Sequence, residues 1–127
     1  MDTQQSPKQI RDPAVRVVLL PKDTNQHGTI FGGVILAHLD IAGGVEAAKH
    51  TDHPIVTVAM NQVVFKEPVH VGEVVSFYAS TTKVGRTSVS VHMDVEACRG
   101  GKLVHVTAAD LVYVSIDKNG VPRPLRP

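Results

Sequence analysis

The chain has 127 residues, 43% of them hydrophobic and 20% charged, and 13 Lys and Arg against 12 Asp and Glu leave a formal net charge of +1. These totals describe one folded domain of ordinary size and argue against a disordered chain. The balanced charge gives no support to a nucleic-acid groove or a membrane-binding surface, and the single cysteine, Cys98, excludes an intrachain disulfide and a cysteine-rich zinc site.

In chain order, residues 1–13 read as a flexible N-terminal segment, rich in Gln, Lys, Asp and Pro. They hold no apolar run that could serve as a secretory signal, and no stretch of the sequence approaches a membrane span, so a cytoplasmic location is expected. A domain over 14–120 follows. "VRVVLLP" predicts a short strand ending at Pro21, and "KDTNQHGTIFGG" a loop in which Asp23, Thr24 and Asn25 are suited to bonding the local backbone. A helix is predicted from about Gly33 to His50.

Four long strands come after it: "IVTVAMNQVVF", "VVSFYASTTKV", "TSVSVHMDVEA" and "LVHVTAADLVYVSI", read as joined by short hairpins. The third alternates, with Val89, Val91, Met93, Val95 and Ala97 on one face and Ser88, Ser90, His92, Asp94 and Glu96 on the other. A proline-rich tail, 121–127, closes the chain. The plan is α+β, one helix against an antiparallel sheet. One helix covers only part of a sheet face, so a second subunit is expected to complete the burial.

The helix contains an oddity. Asp40 sits in "GGVILAHLDIAGG", at a helical angle that places it with Leu36, Ala37, Gly43, Gly44 and Ala47, on the side a helix normally buries. An unpaired buried carboxylate costs several kcal/mol or escapes ionisation. Two explanations stand at this point: a carboxylate that is partly exposed or paired with a basic residue at a turn of the helix, or a general base or nucleophile in a partly desolvated site. Gly43 and Gly44 cost a helix interior roughly 2 kcal/mol relative to alanine, which points to a backbone or ligand passing close by.

Gly32 and Gly33 at the helix start offer backbone N–H groups suited to a developing oxyanion, though a glycine pair can also serve simply to turn the chain. Seven histidines, at 27, 38, 50, 53, 70, 92 and 105, form no HxxxH or HExxH pair, and no metal site is expected. The "GRTS" turn, Gly85, Arg86, Thr87 and Ser88, reads from its spacing first as a solvated hairpin end, with phosphate contact as the alternative.

Together the segments "LPKDTNQHGTIFGGVILAHLDIAGGV", "TVAMNQVVFKEPVHVGEVVSFYA", "KVGRTSVSV" and "VTAADLVYVSIDKNG" resemble, in order and over roughly 15–120, the hotdog-fold acyl-CoA thioesterases, and among them the bacterial YciA-like branch. The resemblance implies a hotdog fold, a long central helix wrapped by a curved antiparallel sheet. It implies homodimers, often assembled as trimers of dimers, that hydrolyse acyl-CoA at the dimer interface. Carried over by motif, Asp40 matches the catalytic carboxylate and Asn25 its partner. Gly33, with Gly32, matches the helix start that polarises the thioester carbonyl, and Gly85 to Ser88 match a segment near the CoA moiety.

No cofactor is implied beyond the coenzyme A of the substrate itself. Two other functions remain open on the same fold. One is an acyl-thioester dehydratase, although the Phe-Pro-Gly run that normally follows its catalytic histidine is missing after His27. The other is a non-catalytic acyl-CoA-binding protein, although both the carboxylate and the helix-start glycines are kept. Asp110 shares its strand phase with Val106, Ala108, Val112 and Val114, so a charge is expected to interrupt an apolar face there.

Overall fold

The structure is a computed structural model that describes residues 11–127; most of the N-terminal segment, residues 1–10, lies outside the described residues. The described residues form five strands: β1 (Val15–Val18), β2 (Ile55–Phe65), β3 (Val74–Val84), β4 (Ser88–Arg99) and β5 (Lys102–Ser115). The one α-helix among the described residues, α1 (Gly32–Ala47), begins one residue earlier than expected and runs into a 3-10 turn over Ala48–His50. The strands form one antiparallel sheet in the order β1-β3-β4-β5-β2, with α1 packed on one face. This is the hotdog arrangement that the resemblance implied. Among the described residues, no helix is long and apolar enough to cross a membrane.

The alternation in β4 builds the core. Val89, Val91, Met93, Val95 and Ala97 are all fully buried and meet Ile35, Leu39, Ala42 and Ala47 of α1. The polar phase of β4 lies on the far face of the sheet, where Arg11 stacks 3.9 Å over the Tyr78 ring and pairs with Asp94 and Glu96.

Two expectations are corrected. Only β3–β4 and β4–β5 are hairpins; β2 occupies the edge beyond β5, so the segment 66–73 is a crossover from one side of the sheet to the other. The pattern of β2 reads as a strand but carries no information about its neighbour. Asp110, in turn, does not interrupt the core. A register shift between Val95 and Glu96 opposite β5 leaves Val106 and Thr107 both buried, and from there Ala109, Leu111, Tyr113 and Ser115 face the helix. Asp110 lies on the half-exposed face instead, bonded to His92 Nδ1 at 2.8 Å.

Candidate active site

Asp40 occupies the middle of α1 at the border of its buried stripe, which consists of Ile35, Leu39, Ala42, Gly43 and Ala47. Asp40 is half-buried rather than sealed in the core, and Ala37 is exposed, so the buried face of the helix is narrower than its sequence pattern predicts. Two side chains hold it. Thr57 Oγ1 of β2 donates to Oδ1 at 2.7 Å, and the Tyr113 hydroxyl of β5 reaches the Asp40 carbonyl at 2.6 Å and Oδ1 at 3.1 Å. Oδ2 accepts no hydrogen bond among the described residues. Burial, and then the negative charge of Asp40, push the Tyr113 phenol well above its ordinary range, so it stays protonated and able to donate.

The glycine pair now has its reason. A Cβ at Gly43 would stand 2.3 Å from the Tyr113 hydroxyl oxygen, so neither a backbone nor a ligand but a tyrosine side chain fills that space. Gly44 is looser, with the same ring 3.8 Å away.

Asn25 sits in the loop before the helix, and its side chain organises that loop. Oδ1 accepts from the N–H groups of His27 (2.8 Å) and Thr29 (3.2 Å), while Nδ2 donates to Thr29 Oγ1 at 2.9 Å. Asp23 and Thr24 make the local backbone bonds anticipated for them, to Leu20 N–H and the Pro21 carbonyl. The loop is tied to the helix start by Phe31 N–H on the Asp23 carbonyl and to the crossover by Ile30 N–H on the Val69 carbonyl, both 2.8 Å. The crossover is clamped in turn, since Arg99 donates to Glu73 and to the Pro68 carbonyl.

Asn25 and Gly32 thus share the lining of a cavity of about 340 Å³ with Thr29, Ile30, Phe65 and Lys66. Gly33, next along the helix, is exposed, and a Cβ there would meet the Phe31 ring at 2.7 Å. The helix start has no side-chain cap, which leaves its first N–H groups available to an anion or oxyanion.

Within one protomer these groups do not converge on Asp40. Seven residues at 1.5 Å each separate Gly33 from Asp40 by roughly 10 Å along the axis, and Asp40 is absent from the cavity lining. The "GRTS" turn lies elsewhere again. Gly85 N–H bonds the Ser88 carbonyl, the Thr87 carbonyl accepts from Ser115 N–H, and the Arg86 carbonyl accepts from Leu125 N–H. That last bond, with buried Leu125, pins the C-terminal tail beside the turn. A larger cavity, about 440 Å³, opens at this end of the molecule, away from Asp40, with Lys49, His53, Arg123 and Arg126 in its wall.

Among the described residues no three His, Cys, Asp or Glu side chains are grouped to hold a metal ion. Several histidines have local partners: His38 stacks on Phe77, His50 bonds Thr81, and His70 lies near Glu73. Thr57, Tyr113 and Phe65 were not singled out from the sequence. Thr57 and Tyr113 belong to different strands, and only the pairing of β2 with β5 sets them opposite each other and under Asp40.

A curved antiparallel sheet, one helix carrying an anchored carboxylate, and a cavity at an uncapped helix start define a hotdog-fold enzyme of the thioesterase type. The model of the thioesterase superfamily matches residues 27–104, and the chain belongs to that superfamily. Acyl-CoA thioester hydrolase YciA of Salmonella typhimurium is 37% identical over 116 residues, covering 87% of each chain. The hexameric hotdog fold thioesterase Cj0915 of Campylobacter jejuni superposes with a TM-score of 0.87 at 38% identity, over 93% of this chain and 92% of that one. The hexameric thioesterase y2039 from Yersinia pestis gives 0.86 at 34%, over 91% and 95%.

Proposed function

We infer that the protein is an acyl-CoA thioesterase, hydrolysing the thioester to a free carboxylic acid and CoA. The observation that carries this reading is the Asp40 carboxylate, tethered through Oδ1 with Oδ2 left without a partner among the described residues. A tethered carboxylate with one oxygen left unbonded suits a base or a nucleophile. Relatives of similar length that hydrolyse acyl-CoA support the substrate class.

In this reading Asp40 takes a proton from water as the water oxygen attacks the thioester carbon. Alternatively, Oδ2 attacks directly, and water then hydrolyses the mixed anhydride. The helix-start N–H of Gly33 stabilises the oxyanion, and Asn25 orients the water or the thioester. The C–S bond breaks with CoA leaving as a thiolate, a good leaving group at neutral pH. This chemistry calls for no cofactor beyond the CoA carried by the substrate. The turn Gly85, Arg86, Thr87 and Ser88 contributes to holding the CoA moiety.

The active unit is a homodimer, assembled further as a trimer of dimers. Each site takes Asn25 and the helix start from one protomer and Asp40 from its partner. An antiparallel partner helix across a two-fold axis spans the roughly 10 Å that one helix cannot. The hexameric state of the Campylobacter and Yersinia thioesterases supports the assembly.

The test is thiol release from acyl-CoA by purified protein and by Asp40→Asn, which keeps the shape and removes the basicity. Turnover is expected to fall by roughly 10²–10⁴-fold, the range of a general base, with folding retained. Wild-type turnover in that variant would remove Asp40 from the chemistry.

A further inference from the structure

We propose that Tyr113 is the positioning residue of the Asp40 carboxylate: its hydroxyl, working with Thr57, fixes Oδ1 and so presents Oδ2 as the reacting oxygen. The inference rests on the reading of Asp40 as the reacting carboxylate. An aspartate at the border of a helix has two side-chain torsions and nothing intrinsic to choose between its oxygens. Here two hydroxyls from neighbouring strands converge on one of them. Thr57 stands on the edge strand and is exposed, whereas Tyr113 is only 3% exposed and is gripped by the core. The tyrosine is therefore the rigid member of the pair.

The hydroxyl carries one proton and has two acceptors, the Asp40 main-chain carbonyl at 2.6 Å and Oδ1 at 3.1 Å. That geometry serves both states of the carboxylate. While Asp40 is ionised, the proton is shared toward Oδ1. Once Oδ2 has taken a proton, Oδ1 is a weaker acceptor and the phenol falls back on the carbonyl, so no buried donor is stranded. Gly43 is the counterpart of this arrangement, because a methyl group at that position would overlap the hydroxyl. The helix thus leaves a hole one carbon wide through which a core tyrosine reaches the carboxylate.

Tyr113→Phe keeps the ring in the core and removes the hydroxyl alone. The Asp40 carbonyl lies within α1 and keeps its helical partner, so the fold is expected to survive. In steady-state assays on an acyl-CoA, kcat should fall roughly 10- to 100-fold, the effect of a misplaced catalytic group, with KM changed less than about twofold.

Gly43→Ala attacks the same contact from the helix side and should give a similar kcat loss. The double variant should lose less than the product of the two single losses, since the phenylalanine no longer places an oxygen against the new methyl. Unchanged kcat in Tyr113→Phe, a KM that rises as much as kcat falls, or fully multiplicative losses in the double variant would overturn the proposal. Asp40→Asn run alongside separates the two levels. If that variant turns over like the wild type, the reading of Asp40 itself fails; if it is inactive while Tyr113→Phe is normal, only the role of Tyr113 fails.

Discussion

Arg86 stands at the β3–β4 turn, its carbonyl tied to the C-terminal tail and its side chain exposed. The neighbouring cavity wall adds Arg123, Arg126 and Lys49 beside the Asp52 carboxylate, with Lys49 Nζ also paired to Glu46 at 2.9 Å. This concentration of positive charge on a chain of net charge +1 is what a phosphate-rich moiety would meet favourably. Arg86→Ala is therefore expected to raise KM for acyl-CoA roughly tenfold, the worth of one charged hydrogen bond, with kcat nearly unchanged. A short thioester lacking the nucleotide should show no such change, and kinetics on both substrates checks this; equal losses would mark Arg86 as structural. The sequence exposed Asp40 because a charge in an oily helix violates a local rule. It could not expose Tyr113: the pattern of β5 reads with Val106, Ala108, Val112 and Val114 as its apolar phase, and only the register shift opposite β4 turns Tyr113 toward the helix and Gly43.

Strands β4 and β5 carry a pair that depends on pH. His92 Nδ1 donates to Asp110 Oδ1 at 2.8 Å, with Asp94 Oδ1 3.5 Å from Nε2. The hydrogen bond to Asp110 and then the charge of Asp94 raise the His92 pKa against the opposing effect of burial. A histidine whose pKa is raised on folding stabilises the fold fully below its unfolded value, near 6.5, and loses that contribution as the pH climbs through the raised value. Thermal unfolding of His92→Gln should accordingly fall below wild type at pH 5.5 and converge with it at pH 9. The gap should be small, of the order of 1 °C, because both side chains are more than a third exposed and screened by solvent. At this scale the sequence was legible wherever the pattern is local: the alternation of β4, the two tight hairpins and the extent of the helix. The place of β2 was not, because its partner β5 lies about 40 to 60 residues away along the chain.

The molecule leaves a connected set of apolar groups uncovered. On α1, Ile41 is 59% and Val45 47% exposed, and on the edge strand Val56 and Val58 are 41% and 55% exposed. An open strand edge beside an apolar helix face is a surface that a second copy would cover. It lies next to Asp40, which precedes Ile41, and to Thr57, which separates the two valines. The shared-site arrangement makes a sharp prediction. Asn25→Ala and Asp40→Asn are each expected to be inactive. When they are unfolded and refolded together, a mixed dimer places both lesions in one site and none in the other. Random mixing makes about half the dimers mixed, recovering roughly a quarter of wild-type activity. If copurification through two different tags shows mixed dimers and the activity stays at parental level, each site belongs to a single protomer.

The position of β2 at the sheet edge also sets an order on how the chain acquires its structure. The meander from β3 through β5 closes by tight turns, which form in microseconds, whereas β2 must wait for a β5 that enters the chain about 40 residues after β2 ends. Thr57 rides on that late strand, and Tyr113 lies in the last part of β5. On a ribosome, the carboxylate of Asp40 is made early and stands unrestrained until nearly the whole domain has emerged, when both hydroxyls arrive together. The tether that readies Asp40 is thus completed only with the fold itself.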